Sequence, residues 1–347
     1  MDVRLSPEQQ ALRDSAAQVV ERLRPRTVRD LDDRERAAKL DAAVAAAGWR
    51  EVRTATDDGM PSASAVEAAI VAEELGRGLA DAAFLGPTLA AELRRLGGTP
   101  PSTSTETVAL AAGLAALAVA VGERLPAEGV VAIDATGSRS ALVLVPARNG
   151  HSLAEVELPG AEARVDLTRP SVALDSSVVV EPVRKARPLT DDDLERWTAL
   201  GLAIACADLV GTMRGAVELA CEYAKVRRQY GVAIGSFQAV QHMLADAHVA
   251  TEGSRSVTLH AAWAVDALPP HDALGAAALA KAYCSRAART VCETAIQVHG
   301  GIGHTWECLA HLYLRRALVS IDVLGGAGAS LSRVLEHHGL RSPDGFR

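Results

Sequence analysis

A chain of 347 residues is long enough for two or three domains with a substantial core. With 49% hydrophobic and 23% charged residues it reads as an ordinary globular protein, and with 3% aromatic residues its core must be aliphatic and alanine-rich. The net charge of -7 argues against a nucleic-acid partner, no apolar run approaches the ~20 residues that cross a bilayer, and Met1–Leu5 lacks a signal-peptide pattern.

Residues 1–105 read as a helical domain. Ser6-Pro7-Glu8-Gln9 is a capping box with proline at the first helical position, opening a helix to about Leu23. A second helix is expected over Leu31–Ala47, stopped by Gly48, and a third from about Ser62 to Gly76, with Val66, Ile70 and Leu75 spaced to face one core. Gly86-Pro87-Thr88 opens a shorter fourth.

Residues 106–188 change texture to short apolar runs separated by turn residues, which predicts a small β domain. Val130–Ile133, Ala141–Val145 and Val178–Val180 are strand-like, while Gly137-Ser138, Asn149-Gly150 and Pro159-Gly160 supply turns.

Residues 189–347 read as a bundle of long antiparallel helices. From the helix opened by Thr190, Leu202, Cys206, Leu209, Met213, Ala216 and Ala220 step by four and three along one face. Val240, Met243, Leu244 and Ala247 repeat the rhythm before Pro269-Pro270, and Cys284, Ala288, Val291, Ala295 and Val298 give a third helix. Two shorter ones are expected at Glu307–Leu324 and Ala329–His338. The five cysteines all fall on predicted helices without a Cys-x-x-Cys pair, as reduced core residues of a cytoplasmic protein rather than metal ligands.

Two stretches in this bundle carry chemistry. At Ala224–Gln238 the first helix ends in Arg227 and Arg228, where the macrodipole favours cations, and Gly231 and Gly235 break the pattern before Ser236, a candidate cap for the next helix. Last-turn arginines are ordinary stop signals, yet at least one guanidinium fork should stay free for a planar anion or diphosphate. The second stretch, Gln297-Val298-His299-Gly300-Gly301-Ile302-Gly303, places three glycines where backbone can approach a ligand closely. These glycines follow a helix, so the dinucleotide-binding reading of a glycine turn after a strand does not apply.

Together, Arg-x-x-Tyr-Gly followed by Phe-Gln, and Gln-x-x-Gly-Gly-x-Gly, resemble the C-terminal helical domain of the acyl-CoA dehydrogenases over about Asp191–Leu335, with a weaker likeness in the N-terminal helices. The resemblance implies a mainly α fold with a reduced middle β domain and a C-terminal four-helix bundle. It implies FAD, with Arg227 on the diphosphate and Gln297, Gly300, Gly301 and more weakly Gln238 toward the ADP portion. Members that hold the flavin ring carry a Thr-Glu-Pro loop and a Trp-x-Ser/Thr-Asn turn in the middle domain, and neither is present in this segment.

Such enzymes also need a glutamate to remove the substrate α-proton. The family's two positions for it align with Leu324 and Gly201, neither of which can take a proton. Glu195 and Asp208 are each displaced along the first bundle helix by about 10 Å at 1.5 Å per residue, and Glu307 aligns with a structural acid. The chain therefore resembles the non-base subunit of an α2β2 heterotetramer, like those of bacterial steroid side-chain degradation. It would complete the FAD site of a homologous catalytic subunit, which binds most of the acyl-CoA. An autonomous homo-oligomeric dehydrogenase with a displaced base and a non-enzymatic scaffold of the same fold are the alternatives.

Overall fold

The computed structural model describes residues 4–122, 124–127, 129–160 and 165–340. Met1–Val3 of the N-terminal reading and residues 341–347 of the third predicted domain lie outside these. Helix α1 (Pro7–Leu23) starts where the capping box places it: the Gln9 N–H donates to Ser6 Oγ, and the Ser6 N–H donates to Gln9 Oε1 at 3.1 Å. The predicted second helix begins three residues late, because Asp33 accepts from the Glu35 and Arg36 amides and opens α2 (Arg34–Ala46) there. Similarly, Ser64 and Glu67 form the capping box of α3 (Ala65–Arg77), so this helix starts after the Ser62 expected to lead into it. Helix α4 (Leu85–Leu96) follows.

The middle segment forms one six-stranded sheet from β1 (Glu106–Leu110), β2 (Val130–Ala132), β3 (Ser140–Ala147), β4 (Gly150–Glu157), β5 (Val172–Leu174) and β6 (Val180–Pro182), in the order β5-β2-β1-β3-β4-β6. Only β1 and β3 run parallel. The β3–β4 hairpin turns at Arg148-Asn149, one residue ahead of the expected Asn149-Gly150, because Gly150, at φ 97°, pairs with Ala147 as the first residue of β4. Of the predicted strand Val178–Val180, only Val180 enters β6; Val179 is 66% exposed and makes an isolated antiparallel bridge with Arg124.

Four long or medium helices and a short terminal one make the last part: α5 (Asp191–Val226), α6 (Gln238–Ala267), α7 (Pro270–His299), α8 (Ala310–Asp322) and α9 (Ala327–His337). Thr190 caps α5 through the Asp193 amide. Helix α5 is the spine of the molecule, crossing α3 on one side and α7 on the other. The α3–α5 crossing is backbone to backbone: a Cβ on Gly211 would overlap the Glu73 carbonyl, and one on Gly76 would lie 2.5 Å from the Asp208 carbonyl oxygen. Alanines dominate the buried surface between α5, α6 and α7, which matches the aromatic-poor composition.

Two expectations need correction. Two segments are in fact long and apolar enough to cross a membrane by composition: Asp191–Val226, whose apolar window is 89% buried inside the protein, and Ala310–His337, 28% buried. The second breaks between α8 and α9. Cys308 lies in the turn ahead of α8 rather than on a helix, because α8 starts three residues later than expected; the other four cysteines are helical, and all five are free thiols.

Candidate functional site at the end of the bundle

The cationic corner is built by a two-residue hairpin. Strands β7 (Arg228–Gln229) and β8 (Val232–Ala233) pair across Tyr230 and Gly231, whose φ angles of 53° and 83° give the double left-handed turn that suits the strand twist. Arg227 is the C-cap of α5, its N–H donating to the Tyr223 carbonyl at 2.9 Å. Its side chain is exposed and makes no hydrogen bond or ion pair among the described residues. Arg228 reaches back to the Gly231 carbonyl at 3.4 Å. Ser236 does not cap α6: its hydroxyl donates to the Ala233 carbonyl at 2.7 Å inside the turn, and Phe237 occupies the N-cap position without a side-chain bond. Gln238 is the first, exposed residue of α6.

The glycine turn lies beside this corner. Tyr223, one helical turn before Arg227, stacks on His299 with ring centroids 4.6 Å apart, so the ends of α5 and α7 are held together. Burial keeps the His299 imidazole below its usual pKa against the pull of the Ala295 carbonyl, 2.7 Å from Nδ1, so a neutral ring does the stacking. This contact was not foreseen. Its only sequence signal is an aromatic residue four before Arg227 and a histidine one before Gly300. Gly300 sits at φ 63°, ψ −142°, and a Cβ there or on Gly301 would meet nothing within 4 Å. Gln297, Gly300 and Gly301 are all exposed. An open turn of bare amides beside an unpaired guanidinium suits a diphosphate and its nucleoside tail.

The aligned base positions tell the opposite story. Gly201 on α5 and Leu324 just after α8 lie against each other: a Cβ on Gly201 would overlap Leu324 Cδ1 and lie 3.4 Å from Leu89 Cδ2. Leu324 is fully buried at φ 57°, its amide donating to the Leu114 carbonyl at 2.7 Å and its carbonyl accepting from Arg333 at the same distance. The two positions that the resemblance aligns with a base thus converge on one spot, and hydrocarbon fills it.

The three other acids weighed from the sequence sit in different settings. Asp208 is buried and locked: Arg316 donates from Nε and Nη2 at 2.9 and 2.7 Å, Ser320 Oγ at 2.6 Å, and Arg169 Nη1 lies 3.2 Å away. Burial pushes its pKa up, but Arg169 and Arg316 outweigh that and hold it below the ordinary carboxylate value, so it takes no proton near neutrality. Glu195 is half-buried with His271 Nδ1 3.9 Å away, and Glu307 is exposed after the glycine turn. Among the described residues no cluster of His, Cys, Asp and Glu could hold a metal.

Residues 6–102 match the acyl-CoA dehydrogenase N-terminal domain family and residues 199–337 the acyl-CoA dehydrogenase C-terminal domain family. Acyl-CoA dehydrogenase IpdE2 of Mycobacterium tuberculosis is 34% identical over 278 residues, covering 80% of this chain and 79% of that protein. Among solved structures, the Tcur3481-Tcur3483 steroid ACAD in a variant form superposes with a TM-score of 0.80 at 25% identity, covering 96% of this chain and 98% of the other. The ChsE4-ChsE5 complex from Mycobacterium tuberculosis gives 0.77 at 23% identity, covering 99% and 100%.

Proposed function

The chain belongs to the acyl-CoA dehydrogenase family, and on that premise we propose that it is the non-base subunit of a heteromeric, FAD-dependent acyl-CoA dehydrogenase, an α2β2 assembly with a homologous catalytic subunit. The observation that carries this reading is the hydrocarbon contact of Gly201 with Leu324, the two positions that the resemblance aligns with the family's glutamate. Without a carboxylate within reach of a substrate α-carbon, the chain has no means to start the α,β-dehydrogenation.

Its own residues serve the other half of the site. Arg227 pairs with the FAD diphosphate, and the amides at Gln297, Gly300 and Gly301, with Gln238 at the start of α6, hold the ADP portion. When bound, FAD supplies the acceptor for the substrate β-hydride. This division assigns 1–105, 106–188 and 189–347 to the N-terminal helical, reduced β and bundle domains, the last of which reaches the partner. Val226 and Tyr230, exposed by 73% and 94%, flank Arg227 in sequence and give the nucleotide corner apolar surface suited to burial against that partner. A cytoplasmic setting agrees with the five free thiols. A steroid-CoA thioester as the acyl substrate is supported by the printed description of the Tcur3481-Tcur3483 neighbour.

Arg227→Ala tests the assignment. In a complex co-expressed with the catalytic subunit, the substitution at this exposed position leaves folding and assembly intact and lowers bound flavin; unchanged flavin content contradicts the role.

A further inference from the structure

A cavity of about 810 Å³ lies between Trp306-Glu307, just past the glycine turn, and the 3₁₀ turn Val28–Asp32 of the N-terminal domain. Its size falls within the roughly 300–1,000 Å³ of sites that enclose small organic ligands. Val28, Leu31 and Leu167 contribute apolar surface to it.

Trp306 gives this cavity an aromatic plane. On α8, His311 meets the indole at 85° with ring centroids 5.1 Å apart, and Arg315 Cζ lies over the indole, 5.9 Å from its centroid. These two residues are one helical turn apart, so α8 covers one side of the ring. Trp306 is nonetheless 61% exposed, which leaves the other side bare. A bare indole face is the platform on which a nucleobase stacks.

The charges around that plane are unspent. Arg29, Asp32 and Glu307 line the cavity with exposed side chains, and none of these makes a side-chain hydrogen bond or ion pair among the described residues. Arg315 spends one N–H on the Val165 carbonyl at 3.2 Å and has no carboxylate within ion-pair reach among the described residues. A carboxylate only accepts, so Asp32 and Glu307 call for a ligand that donates N–H, while a free guanidinium fork calls for an anion with paired oxygens. A flat ring with an amino donor on its edge and a phosphate tail meets all three demands. A keto oxygen on that edge would instead be set against the carboxylates.

We propose that this cavity binds an adenine nucleotide, with the base stacked on Trp306, its exocyclic amine donating to Asp32 or Glu307, and its phosphates on Arg29. The inference does not rest on the shared-flavin reading, since no lining residue belongs to the Arg227 corner or to residues 297–303.

Titration calorimetry of the full-length chain with ADP, adenosine and inosine tests this, repeated in Arg227→Ala so that nucleotide held at the bundle corner drops out. ADP binds in both proteins. Trp306→Ala weakens ADP by at least about tenfold, the worth of one stacked base, and Trp306→Phe keeps most of the affinity. Arg29→Gln, at an exposed position, weakens ADP by about tenfold and leaves adenosine unaffected. Adenosine binds about tenfold more tightly than inosine, whose base has a keto oxygen in place of the amine, and Asp32→Asn combined with Glu307→Gln erases that preference. Competition against ADP by coenzyme A and by FAD, which carry the same group, identifies the carrier; displacement by neither leaves the free nucleotide as ligand. No binding of ADP at millimolar concentration, equal affinity for adenosine and inosine, or ADP affinity unchanged in Trp306→Ala overturns the proposal. Loss of ADP binding in Arg227→Ala also overturns it, because the nucleotide would then sit at the corner.

Discussion

Replacing Gly201 and Leu324 singly and together probes the contact on which the loss of the base rests. Leu324 is fully buried, so Leu324→Ala removes its side chain from a packed site at a cost of about 3–4 kcal/mol. Gly201→Ala gains about 1 kcal/mol of helix propensity but drives a methyl into Leu324 Cδ1, an overpacking that costs roughly 1–3 kcal/mol. In the double variant the new methyl occupies the space that Leu324 vacated, so the propensity gain remains and the overpacking is gone. The pair should therefore be less destabilised than the sum of the singles by about 2 kcal/mol. Urea unfolding of the four proteins measures this directly. Additivity to within about 0.5 kcal/mol would mean the two positions do not share a space, and the argument that both base positions collapse onto one aliphatic contact would fail.

Further outcomes follow from the charged interior. Arg316→Leu leaves Asp208 buried with its main partner gone and should destabilise by about 3–5 kcal/mol in denaturant unfolding. Because the Asp208 pKa is depressed in the fold, its contribution is present above the ordinary carboxylate value and is lost as pH falls through the folded value. Arg316→Leu should accordingly flatten stability against pH in the acid range. Lys281, buried with Nζ donating to the Val323 carbonyl, has its pKa lowered to about 8 by burial, against an unfolded value near 10.5. Between these pH values the unfolded chain holds the proton and the folded one does not, so this group makes stability rise with pH. Lys281→Met should remove that rise, by no more than about 3 kcal/mol, when wild type and variant are compared from pH 7 to 10. Glu195→Gln should leave turnover of the assembled complex unchanged in a dye-reduction assay, since its carboxylate lies 3.9 Å from His271 Nδ1 and it precedes Gly201 by about 9 Å of helix rise.

Helix ends were legible where the signal is local. Ser6 with Gln9, Thr190 with Asp193, and Pro269-Pro270 each act on backbone groups within one turn, and α1, α5 and the α6–α7 boundary lie where those residues place them. Ser236 misled because a hydroxyl has a choice, and the nearby Ala233 carbonyl won it. Strand β1 was missed for another reason: all five of its residues are buried, including Glu106, so no alternation marks it, and Glu106 is tolerated only because Arg94 on α4 donates to it. The site divided along the same line. Arg227 and the glycine turn were visible as motifs, and the missing glutamate as a gap in spacing. That Tyr223 stacks on His299, or that Gly201 meets Leu324, depends on how α5, α7 and the turn after α8 pack, which no single stretch encodes.

The flavin content of the purified complex tests the central claim most directly. Co-expressed with a catalytic subunit that carries the base glutamate, the assembly should hold one FAD per heterodimer by absorbance, and this chain purified alone should neither retain stoichiometric FAD nor oxidise an acyl-CoA. Stoichiometric FAD on the isolated chain together with acyl-CoA turnover would contradict the account.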